Sequence, residues 1–126
     1  MQDSLVIWLC GVHSLVFALF HLAFWKLFDW PRDLRSTSVA TRAITQILNL
    51  RLAYVFFAVA AACFLLADDL IGTRLGRCLL GAMSLFWLGR LIEQAIFLRF
   101  NQWKLHILSA LFALGAVLFA SPLLAR

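Results

Sequence analysis

Four runs of apolar residues, at about 5–25, 47–67, 79–98 and 105–121, divide the chain. A helix needs about 20 predominantly apolar residues to cross the hydrocarbon core of a bilayer. Each run meets that length, the second only by taking in Ile47, Leu48 and Leu50 ahead of Leu52. Between the first and second runs, residues 38–51 follow a different pattern. Val39, Ala40, Ala43, Ile44, Ile47 and Leu48 recur at helical spacing, while Ser38, Thr41, Arg42, Thr45, Gln46 and Asn49 fill the other side. This predicts an amphipathic helix that lies at the membrane interface or runs straight into the second span. Ser36, Thr37 or Ser38 is placed to cap its start.

The connections are short. Trp25, Lys26, Phe28 and Trp30 form an aromatic and basic collar after the first span, and Pro31 is expected to end the helix there. Gly72 and Gly76 have the spacing that lets helices approach closely, but they fall at a boundary and read as a turn between the second and third spans. Arg99, Asn101, Gln102, Trp103 and Lys104 make the tight loop before the fourth span.

Composition agrees with lipid as the main solvent. The 126 residues are 64% hydrophobic and 13% charged, and mean hydropathy is +0.95. A soluble domain is nearer half apolar and a quarter charged. The expected fold class is therefore an all-α integral membrane protein, a four-transmembrane-helix bundle with an amphipathic interfacial helix before the second span. One membrane domain covers residues 1–126. A net charge of +5 could suggest nucleic acid, but the basic residues sit between apolar runs, which is the pattern of topology signals and headgroup contacts. The expected partners are the lipid bilayer and a second copy or another membrane subunit, with no nucleic acid.

Charge asymmetry predicts orientation. Lys26, Arg32, Arg35, Arg42, Arg51, Arg99 and Lys104 share one side, against Arg74, Arg77 and Arg126 on the other. The first group should face the cytoplasm, with both termini outside. A bacterial inner membrane is the expected location. A first run this long, with Asp3 and no Lys or Arg ahead of it, is expected to stay as a helix and not be removed as a signal peptide.

Candidate chemistry lies where polar residues interrupt apolar runs. Arg90, Glu93 and Gln94 fall in the third span, and polar groups at membrane depth mark functional sites by default. Threading the spans alternately puts His21, Asn49 and His106 toward the same, inner side, giving a six-residue solute-binding or coupling cluster. In one account Glu93 binds a proton or cation in a cavity open to the cytoplasm. In another, Arg90 and Glu93, three apart on one helix, neutralise each other as a structural pair. A metal held by His21, Glu93 and His106, or a haem between His21 and His106, is a further alternative, although no close ligand spacing such as HxxxH is present. No cofactor is predicted.

Cys10, Cys63 and Cys78 lack a CxxC pair and read as packing residues, with Cys63–Cys78 the one disulfide open to consideration. No GxSxG, P-loop or HExxH motif occurs, so enzymatic activity is not the leading expectation. The leading function is binding or transport of a small solute or ion. The alternatives are a non-catalytic subunit of a larger membrane complex and a membrane redox protein.

Overall fold

A computed structural model of the chain describes residues 2–98 and 101–124. Among them there is no strand. Four helices are long and apolar enough to cross a membrane: α1 (Gln2–Leu22), α4 (Val39–Leu65), α6 (Arg74–Phe97) and α7 (Trp103–Leu124). Short helical pieces join them: α2 (Phe24–Leu27), α3 (Trp30–Asp33), a 3-10 turn at Leu34–Ser36, and α5 (Ala67–Gly72). Arg99 and Arg126, counted above for orientation, lie outside the described residues. The chain divides into two compact units, Gly11–Ala61 and Met1–Cys10 with Ala62–Arg126.

In the first unit, α1 ends before the collar and Pro31 does not terminate it. Ala23 N–H closes onto the Leu19 and Phe20 carbonyls, and Asp29 makes the following turn with a left-handed backbone, φ 49°. Pro31 then sits in the first turn of α3, where a missing N–H costs nothing because that position has no helical partner. Of the two arrangements expected for the amphipathic stretch, the second holds: it is the first half of α4 and runs directly into the second span. Ser38 caps it, its hydroxyl oxygen accepting from Thr41 N–H at 3.1 Å. Inside the unit Phe17 and Phe56 are buried, with ring centroids 6.1 Å apart.

Arg42 orders the connection between these helices. Its guanidinium donates to the carbonyls of Leu34 (3.0 Å), Arg35 (3.3 Å) and Thr37 (3.2 Å). The Leu34 oxygen also accepts from the Thr37 N–H and hydroxyl, at 3.2 and 2.7 Å, so Arg42 gathers carbonyls around the end of the 3-10 turn. Trp25 adds a second tie by donating from Nε1 to Gln46 Oε1 at 2.8 Å.

In the second unit, the stretch expected to connect the second and third spans is itself helical: α5 covers it up to Gly72, and α6 starts at Arg74, five residues earlier than the apolar run suggests. The reason is Thr73. Its hydroxyl donates to the Asp69 carbonyl at 2.6 Å and accepts from Gly76 N–H at 3.0 Å, closing α5 and capping α6 together. Gly76 is needed there, since a Cβ would run into the Asp69 carbonyl and the Leu70 backbone. Helices α6 and α7 form an antiparallel hairpin. Trp87 and Phe112 stack at 5.7 Å, and Ser84 donates to the Ala116 carbonyl at 2.7 Å. Leu80, Trp87 and Gln94, seven residues apart along α6, are all buried. Cys10 and Cys63 are buried as free thiols and Cys78 is exposed and free; no Cys63–Cys78 disulfide forms.

Candidate functional site

The helix α6 carries charge near both ends, and only residues 78–89 lie between Arg77 and Arg90 without a charged side chain. At 1.5 Å per residue that is about 18 Å, against a hydrocarbon core of about 30 Å. The charges near its C-terminal end must therefore be accommodated by the protein or reach the boundary. Arg90 is half-buried and lays its guanidinium over the Phe112 ring, 4.7 Å from the centroid. An aromatic face attracts a cation through its quadrupole, and more so away from water. Glu93, three residues on, is exposed. Among the described residues no ion pair joins Arg90 to Glu93. The physical reason is that the guanidinium is drawn inward onto Phe112 while the carboxylate stands on the outer surface.

Gln94 turns the other way. It is only 3% exposed, and its Nε2 donates to the Leu105 carbonyl at 3.2 Å. Its Oε1 is buried with no hydrogen-bond partner. The carboxamide cannot simply be reversed, because the Leu105 carbonyl only accepts and two oxygens would then face each other. An acceptor left unsatisfied inside a protein costs about 1–3 kcal/mol, so this oxygen is a feature to be explained.

A shallow groove of about 400 Å³ lies between the end of α6 and the start of α7, with Gln94 among its lining residues but the Oε1 atom itself enclosed. Gln94, Ala95, Leu98, Asn101, Leu105, His106 and Ser109 line it. His106 Nε2 lies 2.8 Å from Asn101 Oδ1, which ties the first turn of α7 to the loop. Among the described residues no Asp or Glu lines the groove. Lys104, beside Leu105, is turned onto the Trp103 ring, 5.7 Å from its centroid.

Of the six residues expected to form one cluster, Gln94 and His106 share this groove. Arg90 and Glu93 are on the same helix but do not line it. His21 and Asn49 belong to the other unit and meet there: Asn49 Nδ2 donates to the His21 backbone carbonyl at 2.8 Å, and His21 Nδ1 lies 2.7 Å from the Phe17 carbonyl. The His21 ring stacks on Phe24 at 4.4 Å and meets Phe56 edge-on at 5.1 Å. Among the described residues no group of three or more His, Cys, Asp or Glu is placed to hold a metal ion.

Asn101 and Ser109 were not among the expected site residues. Ser109 lies three positions after His106, so a helical α7 puts both on one face, a relation present in the sequence. Nothing in the sequence marks Phe112 as the seat of the Arg90 guanidinium.

These observations define a class, a four-span all-α membrane protein with a small groove at one end of its α6–α7 hairpin. Comparison of the chain with protein-family models, curated proteins and solved structures found no match.

Proposed function

We propose that this protein binds a small solute in the α6–α7 groove and, as a homo-oligomer, moves it across the membrane without chemical change. One observation carries the reading. Gln94, Asn101, His106 and Ser109 bring polar side chains to the lining of one groove of about 400 Å³ at the end of the α6–α7 hairpin. A few convergent polar groups in a concave site are what orient a small solute. The excess of Lys and Arg on the α6–α7 loop side orients the groove toward the cytoplasm, with both termini outside, in a bacterial inner membrane. A single four-helix chain leaves little room for a private pathway, which is why transport calls for more than one copy.

Ligand protection tests this. In a Cys78→Ser background, Ala95→Cys places a thiol in the groove, while Cys10 and Cys63 stay buried. A membrane-impermeant maleimide added at the cytoplasmic side should modify it, and at least one of acetamide, glycerol, methylammonium or acetate should slow the modification saturably. If none does, the groove is not a solute site.

A second reading, a structural subunit of a larger membrane complex, draws on a different observation. Helix α6 is both the least apolar and the least buried of the four spans. A lone membrane protein gains by hiding its least apolar helix, so the outer face of α6, including Glu93, suits contact with other protein. Stable co-purification with other membrane subunits, lost on Glu93→Leu, would favour this reading over transport.

A further inference from the structure

We infer that the segment between α1 and α4 holds the phosphate of an anionic phospholipid, with Arg42 and Arg35 as the donors. The inference is independent of the α6–α7 groove.

Depth comes first. Helix α4 has 27 residues, about 40 Å at 1.5 Å per residue, which is roughly 10 Å more than a hydrocarbon core requires. Its polar positions Thr41, Arg42, Thr45 and Gln46 gather at the N-terminal end. The surplus, about seven residues, therefore lies there, and the core begins near Gln46. The aromatic collar marks the same level. Trp25 Nε1 donates to Gln46 Oε1 at 2.8 Å, and tryptophan rings settle at the membrane–water boundary. Gln46 Nε2 donates in turn to the Arg42 carbonyl at 3.0 Å. Arg42 thus stands one helical turn, about 6 Å, outside that boundary. The headgroup layer adds roughly 5–7 Å on each side of the core, which puts Arg42 at the level of the phosphates.

The second point is what Arg42 has left to give. Nε and Nη2 make its three bonds to carbonyls, which fix the plane of the guanidinium. Those acceptors are neutral, so the charge is not cancelled. Nη1 makes no bond with the described residues and is not enclosed. A phosphate oxygen facing Nη1 receives a charge-assisted bond from a donor already held in place.

The third point is the surroundings. Arg35 is exposed and its side chain makes no bond among the described residues. Its carbonyl lies 3.3 Å from Arg42 Nη2, so both guanidinium groups can serve one headgroup. Arg32 is already paired with Asp29 at 3.0 Å. Lys26, Arg35 and Arg42 then stand against one further carboxylate, Asp33. Leu27 and Phe28, 58% and 46% exposed, set apolar surface beside these cations, as in a segment that lies on a bilayer. A free anion has no use for that apolar surface, whereas a phospholipid carries both parts.

Native mass spectrometry of the full chain in detergent tests this, counting retained lipid during titration with phosphatidylglycerol or phosphatidylcholine of the same acyl chains. Phosphatidylcholine brings its own cation beside the phosphate and gains less from arginine. Phosphatidylglycerol should be retained roughly tenfold more tightly or better, and Arg35→Gln should cut that preference about two- to fivefold, the worth of one cation at an anionic surface. Arg42→Lys keeps the charge but loses the planar fork, and should cut it at least about twofold. If that variant does not fold, Arg35→Gln decides. Lys104→Gln removes a cation from the first turn of α7 and should leave the preference unchanged. Equal retention of the two lipids overturns the assignment, as does a loss in Lys104→Gln as large as in Arg35→Gln. Displacement of phosphatidylglycerol by millimolar inorganic phosphate also overturns it, in favour of a free anion.

Discussion

Asn49 on α4 donates from its side-chain nitrogen to the main-chain carbonyl of His21 on α1, at 2.8 Å. The bond uses the backbone of His21 and leaves its imidazole to Phe17, Phe24 and Phe56. It also satisfies a carbonyl near the end of α1, where helices leave their acceptors without partners.

Because the acceptor is main chain, the two residues should respond differently to substitution. Asn49→Leu removes this donor and should lower stability by about 0.6 kcal/mol, and at most about 1.7 kcal/mol, as for polar contacts between membrane helices. His21→Phe keeps the carbonyl and the ring stack and should cost less. Unfolding equilibria in mixed micelles would measure both, and equal losses would contradict the backbone role.

Two glycines on α6 should behave in opposite ways. Gly76→Ala drives a Cβ into the Asp69–Leu70 backbone of α5, an overpacking that costs about 1–3 kcal/mol. At Gly89 nothing lies within 4 Å of an added Cβ. Gly89→Ala should therefore be neutral or stabilising by up to about 1 kcal/mol through helix propensity. Thermal unfolding of the two variants side by side checks this.

Arg90 and Glu93 have the spacing of a pair, yet no ion pair joins them among the described residues. A double-mutant cycle with Arg90→Leu and Glu93→Gln should give a coupling below the 0.2–0.5 kcal/mol of roughly typical helix pairs. Phe112→Leu should instead destabilise the wild type more than the Arg90→Leu variant, by about 0.5–2 kcal/mol, the worth of a cation over a ring.

Arg42 should control the order of the segment between α1 and α4. Arg42→Ala leaves three carbonyls without their cationic donor and should speed hydrogen exchange at Thr37, whose N–H is bonded to the Leu34 carbonyl. Arg42→Lys should recover only part of the protection, since an ammonium lacks the planar fork. Exchange rates of the two variants by mass spectrometry give the comparison.

The spans and their number were legible because lipid as solvent forces long uncharged runs, and those runs stand out in any window of the chain. The helix starts were less so: α6 begins at Arg74 because of Thr73, a single hydroxyl bonded both ways, and no apolar count registers it. The site was visible as a set of polar residues and invisible as an arrangement. Glu93 and Gln94 are neighbours about 100° apart around a helix, so one turns outward and the other inward. The spacing of Leu80, Trp87 and Gln94 does mark one face, and it places Gln94 with the two largest buried residues of α6. The hydrogen-bond partners of Gln94 and Asn49 are main-chain carbonyls, those of Leu105 and His21, and every residue in a sequence carries one of those.

Whether the α6–α7 groove takes a solute can be read from the side-chain amide resonances of isotopically labelled Asn101 and Gln94, both in its lining, with the full chain in lipid nanodiscs. At least one of acetamide, glycerol, methylammonium or acetate should shift them saturably. Resonances unmoved by all four would rule out a solute site in the groove.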